Sequence, residues 1–188
     1  MNAATLPTHD PAAGRRTLAL VVGLLMLPFV LGAGLYLSGW QPSRAGNHGE
    51  LLQPPLPLAL PQDLASETAG KWLLILAGSG PCTADCIARI DEMRRIQVSL
   101  NKDMGRLRRL ILAADAGDPA LAAARAAQPD LLLLSPGRPW PDPATTAAGY
   151  RLYVADPGGN LILRYAPDAE AKGIRADLER LLKFAWTA

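Results

Sequence analysis

The sequence predicts an α/β domain, a central sheet with helices on both faces, behind a single N-terminal transmembrane helix. Three observations carry this reading. An uncharged apolar run, Leu18 to Leu37, follows Arg15 and Arg16. Further on, short apolar runs suited to buried strands alternate with stretches of helical period. Two cysteines, Cys82 and Cys86, stand where one such strand hands over to one such helix.

Composition narrows the function classes. A chain of 188 residues has room for one domain plus an appendage. A net charge of +2 is too small to argue for nucleic acid as a partner. There is no P-loop and no dinucleotide fingerprint. The histidines are His9 and His48, so the folded part offers no Ser-His-Asp set. Two cysteines in one short motif do not staple a scaffold and point instead to a redox pair or a metal site.

In chain order, residues 1–16 are expected to be a disordered cytoplasmic tail, 17–39 the transmembrane helix, 40–46 a linker and 47–188 the periplasmic domain. The run from Leu18 to Leu37 is long enough to cross a hydrocarbon core of roughly 30 Å. Pro28 and the glycines within it are tolerated in membrane helices, and Tyr36 and Trp40 suit an interface. A cleaved signal peptide is the competing explanation. The run is longer than a usual signal core, and no clear small-x-small site follows it. Only Arg44 is basic between the run and Lys71, so the positive-inside rule keeps the N-terminus in the cytoplasm. The protein is then a single-pass protein of a bacterial inner (cytoplasmic) membrane, touching lipid through residues 18–37.

The proline cluster Pro54-Pro55-Leu56-Pro57 makes residues 41–69 an extended linker that becomes the edge of the domain. Trp72 to Ala77 reads as a buried strand, broken by Gly78-Ser79-Gly80-Pro81. A helix from about Thr83 to Leu100 turns Ile87, Ile90, Met93, Ile96 and Leu100 to one side. Arg89, Asp91, Glu92, Arg94 and Arg95 occupy much of the rest. Leu110 to Ala114 is a second strand, and Asp118-Pro119 caps and opens an Ala-rich helix ending near Gln128. Leu131 to Leu134 is a short strand or the start of a turn, and 135–149 a long loop. Tyr150 to Ala155 and Leu161 to Tyr165 flank a hairpin turn at Asp156-Pro-Gly-Gly-Asn160. A last helix, 168–185, places Ile174, Leu178, Leu181, Leu182 and Ala185 on one face. This order, β-α-β-α, hairpin, helix, is that of a thioredoxin-like domain with four or five strands.

Thiols four residues apart can cycle between dithiol and disulfide, bind a soft metal such as Cu(I), or pair permanently. A helix N-terminus favours their thiolate form. Regular helical spacing holds such Cβ atoms about 5–6 Å apart, and a disulfide needs about 3.5–4.5 Å. Bonding therefore asks for a non-helical Cys82 or a distorted first turn, and a strained, exposed bond is easily reduced. Among other polar or soft groups, Asp85 is expected to favour the helix N-terminus. Met93 and Met104 are expected in the core, and Arg106, Arg108 and Arg109 on a solvated face.

Gly70-Lys71, the apolar strand, then G-x-x-x-C-x-x-x-C resembles the Sco/SenC family of cytochrome c oxidase assembly proteins. The segment from Asn47-His48-Gly49 to Pro55, the hairpin Tyr153-Val154-Ala155-Asp156-Pro157-x-Gly159 and the single anchor extend the likeness. The resemblance implies a membrane-anchored, thioredoxin-like copper protein with Cys82 and Cys86 as catalytic or Cu(I)-binding residues. Its implied partner is the copper-binding subunit of cytochrome c oxidase or another thiol protein. The sequence departs from the family where a histidine ligand is expected. Ala144 to Arg151 contains none, and Thr83 and Ile87 replace the usual prolines. His48 reads as a solvated linker or edge residue rather than a substitute ligand. The alternatives to an assembly factor are a general periplasmic thiol–disulfide reductase and a non-catalytic interaction protein that kept the fold.

The anchor has a direct test. The protein is expected to stay in the membrane pellet through alkaline carbonate extraction; release of a shortened soluble form would show cleavage instead.

Overall fold

The computed structural model describes residues 11–38, 46–135, 142 and 149–184. Helix α1, Pro11–Leu37, contains the apolar run, and Gly14–Leu37 is long and apolar enough to cross a membrane. Residues 11–16, expected to be disordered, are the first turns of this helix. Its helix formers, Ala and Arg, outnumber the single Gly14 after Pro11 opens it at a position where proline is favourable. Residues 1–10 lie outside the described residues.

A separate compact unit spans Gly46–Ala188. Its elements are β1 Glu50–Pro57, α2 Gln62–Thr68, β2 Trp72–Gly78, α3 Ala84–Ser99, β3 Leu107–Ala113, α4 Pro119–Ala127, β4 Leu131–Leu134, β5 Tyr150–Ala155, β6 Asn160–Arg164 and α5 Ala171–Phe184. They form a sheet of order β1-β6-β5-β2-β3-β4. Strands β2, β3 and β4 run parallel, and β5, β6 and β1 add antiparallel partners. This is the thioredoxin-like α/β architecture, with helices on both sides of the sheet.

The sheet has six strands rather than the expected four or five, because the proline-rich segment is itself a strand. Pro54, Pro55 and Pro57 cannot donate to a ladder, but β1 is an edge strand, where that matters least. Its register with β6 shifts between Leu51 and Leu56, so the prolines occupy the irregular stretch.

Strand β2 is buried on both faces, which explains its unbroken apolar run. Trp72, Leu74 and Leu76 join α3, α4 and α5 in one core cluster, through Ile90, Met93, Leu121, Ile174, Leu178 and others. Leu73, Ile75 and Ala77 face a second cluster closed by Leu64 of α2 and by Leu52, Leu56, Leu58 and Leu60.

Two side-chain expectations fail. Met104 is half-exposed, since α3 stops at Ser99 and Met104 falls in a following 3₁₀ turn, off the helical period. Arg109 is buried, not solvated. Strand β3 begins at Leu107, three residues earlier than expected, and its alternation sends Arg108 and Arg109 to opposite faces. A buried guanidinium needs partners for its donors. Arg109 donates to Gln97 Oε1 at 2.7 Å, to Gln128 Oε1, and to both oxygens of Asp130 at 2.8 Å. Burial pushes the Asp130 carboxyl up, but the hydrogen bonds and charge of Arg109 outweigh it and hold it below its ordinary value.

Asp177 of α5 does similar work for the lead-in segment. Its buried carboxylate accepts the His48 N–H at 2.9 Å, the Gly49 N–H at 2.9 Å and the Tyr165 hydroxyl at 3.1 Å. Burial, then the charge of Asp177, push the Tyr165 phenol far above its ordinary value. Asp177→Ala leaves these donors without an acceptor and is expected to cost about 3 kcal/mol in urea unfolding. The raised phenol gives stability that is complete below about pH 10, the unfolded value, and is lost as pH rises beyond it. Tyr165→Phe should flatten that alkaline loss; an unchanged alkaline limb would show that Tyr165 ionises equally in both states.

Candidate functional site

Strand β2 ends at Gly78 and the chain turns through Gly80, whose φ of 94° lies in the left-handed region. Close packing holds this turn. A Cβ on Gly78 would lie 2.7 Å from the carbonyl oxygen of Gly149 and from the Tyr150 ring. Above it, the Tyr150 hydroxyl donates to the Gly80 carbonyl at 3.2 Å.

The turn delivers Cys82, which precedes the helix, and Cys86, which lies in the first turn of α3. The two are joined in a disulfide with a Cα–Cα separation of 5.3 Å. Cys82 is outside the helix, the first of the two arrangements that the spacing allows for a bond. Contrary to expectation the bond is not exposed: the cysteines are 8% and 4% accessible. Ile90 and Met93 of α3 and Leu152 of β5 belong to the same buried cluster, so the disulfide forms part of the core's upper edge. A cleft of about 550 Å³ opens beside Cys86, lined by Pro81, Asp85, Arg95, Tyr150 and Pro167 among others.

The N-cap of α3, Thr83, makes no side-chain capping bond, so the helix N-terminus beneath the disulfide is open. Asp85 sits in that first turn as expected. Arg89 is committed to Glu92 and to the carbonyls of Ala169 and Pro167. Asp118, read from the sequence only as a helix cap, also reaches this site. It accepts the Ala120 N–H at 2.8 Å and the Cys82 N–H at 2.7 Å. Those bonds, Cys82 first, hold its carboxyl below the ordinary value. Burial, then the charges of Asp118 and Asp115, push the Tyr150 phenol up. Nothing in the cysteine motif foretold Asp118, which is 36 residues away. The Asp-Pro helix opening was the only available signal.

His48 is not brought to the cysteines' cleft. Its Nδ1 lies 3.2 Å from Asp177 Oδ1, its ring packs on Gly173, and it lines a different cleft with Tyr165 and Lys172. The long loop of 135–149 lies mostly outside the described residues. Of it, Asp142 is buried, accepting from Arg164 at 3.0 Å and from the Tyr153 hydroxyl at 3.0 Å.

The donors therefore do not fit a copper site of two cysteines and a histidine. The reduced pair would offer two sulfurs, but His48 is engaged elsewhere. Among the described residues no group of three His, Cys, Asp or Glu side chains could hold a metal. Cu(II) favours nitrogen and oxygen donors in a tetragonal set. Reduced protein mixed with Cu(II) should show no stable thiolate–Cu(II) absorbance or EPR signal. A stable signal abolished equally by His48→Ala and Cys82→Ser would make His48 the third ligand.

Comparison with known proteins agrees with the fold. The family described as transmembrane-like, thioredoxin-like, C-terminal domain matches residues 72–185. No protein of curated function matches in sequence. The solution structure of apo Sco1 from Thermus thermophilus has a TM-score of 0.53 and 22% identity, covering 72% of this chain and 96% of that one. Yeast Sco1 with copper bound gives a TM-score of 0.49 and 17% identity, covering 66% of this chain and 82% of that one. With the match extending from the first residue of β2 through α5, the chain belongs to the transmembrane-like, thioredoxin-like C-terminal domain family, and its fold is that of apo Sco1.

Proposed function

We propose that this chain is a membrane-tethered thiol–disulfide exchange protein that serves cytochrome c oxidase assembly, with Cys82 and Cys86 as the exchanging pair. The observation that carries the reading is the disulfide seated at an open helix N-terminus, beside a cleft, in a thioredoxin-like domain. The likeness of fold to apo Sco1 and the apolar helix α1 support it. By the positive-inside rule the domain lies on the periplasmic side of the bacterial inner membrane.

The reduced pair attacks a partner's disulfide. One cysteine thiolate bonds to a partner sulfur, and the other partner sulfur leaves as a thiolate and takes up a proton. The remaining cysteine then attacks the mixed disulfide. The partner ends as a dithiol, two electrons richer, and Cys82–Cys86 is closed. The open N-terminus of α3 favours the attacking thiolate. The partner is a copper-binding oxidase subunit, whose cysteines must be reduced before they can take metal. Cu(I) handling, the other role the resemblance implies, would rest on the two thiolates of the reduced pair, since no third donor joins them among the described residues. A general thiol reductase would use the same chemistry without partner preference.

Closing so short a loop stabilises a fold far less than a long-range bridge does, which argues against a purely structural bond. The potential is therefore expected above the roughly −300 mV typical of structural disulfides. Equilibration in glutathione buffers, read by thiol alkylation, measures it. A bond that stays closed in all of them would sink the exchange reading.

A further inference from the structure

One carboxylate reaches the disulfide from outside its own motif. Asp118 bridges the N–H of Ala120, in α4, and the N–H of Cys82. The amide of Cys82 itself is thus spent on an anion instead of remaining open to a thiolate. Covalent geometry allows at most about 4 Å between N and Sγ of one cysteine, so the carboxylate oxygen lies within about 7 Å of that sulfur. This is inside the Debye length of roughly 10 Å at 0.1 M salt, so the charge is only partly screened. Asp85 and Asp115 add charge of the same sign around the turn. Arg95 lines the cleft on the Cys86 side, and Arg89 is already paired. The dipole of α3 pulls the other way, toward a negative sulfur.

We propose that Asp118 is a positioning residue of the redox pair: it ties Cys82 to α4 and, as a fixed anion, biases the couple toward the disulfide, so that the dithiol form is the stronger reductant. The inference rests on the thiol-exchange reading and supplies a cause for its direction, with electrons passing from the reduced protein to partner disulfides. In the corresponding equilibrium with dithiothreitol, the Cys82–Cys86 bond breaks and takes up two electrons, with two protons at neutral pH and fewer where a sulfur stays as thiolate. Dithiothreitol closes to its cyclic disulfide. Near pH 9, above the usual cysteine value of about 8.5, charge remains on the new thiolate and Asp118 opposes it.

The test is a dithiothreitol redox titration at that pH of the full chain in detergent, as wild type, Asp118→Asn and Asp118→Ser. Serine keeps a cap on α4 while removing the charge. Both variants are expected to shift the equilibrium toward the dithiol by roughly 3- to 30-fold, about 15–45 mV. In 1 M salt, with a Debye length of about 3 Å, the shift should shrink. Wild-type potentials in both variants, or a shift that follows helix stability and ignores salt, would overturn the proposal. A wild-type potential in the structural-disulfide range would overturn the exchange reading instead. The difference between wild type and variants still judges Asp118 in the same titration.

Discussion

Burial of β2 on both faces is the constraint on which the rest of the domain depends. A strand with no solvated side must be apolar throughout and must be covered by packing from above and below. Here α3, α4 and α5 cover one face; α2 and the leucines around β1 cover the other. The strand's end is thereby fixed, and the turn at Gly78 to Pro81 has little freedom beneath Tyr150. The two cysteines inherit their placement from this chain of packing.

Two carboxylates then join segments that the core alone would leave loose. Asp177 gathers the amides of His48 and Gly49 with the Tyr165 hydroxyl, fastening the lead-in to β1 onto α5. Asp118 fastens Cys82 onto α4. The first connection lies in a buried setting where an unmet donor is costly, so its role is mechanical. The second lies beside the Cys82–Cys86 disulfide, where the proposed exchange gives it a chemical role as well.

The errors of sequence reading have common physical causes. Charge hid the start of β3: Arg108 and Arg109 looked like a surface cluster, but a strand alternates, and Arg109 found Gln97, Gln128 and Asp130 inside. Prolines hid β1, because an edge strand tolerates missing donors that an inner strand would not. Helical period puts Met104 in the core only if it runs past Ser99, where the helix ends.

The sequence by itself determined the apolar N-terminal helix, the alternation of buried strands and amphipathic helices, and the cysteine pair at a strand-to-helix junction. These are local properties, set by hydrophobic period, turn residues and spacing, and a single pass along the chain contains them. The sixth strand, the burial of Arg109 and of the disulfide, the capture of His48 by Asp177 and the bond from Cys82 to Asp118 belong to tertiary structure. Each depends on which of several polar groups meets a partner distant in sequence. That choice is settled only when packing brings the segments together and makes an unpartnered group costly.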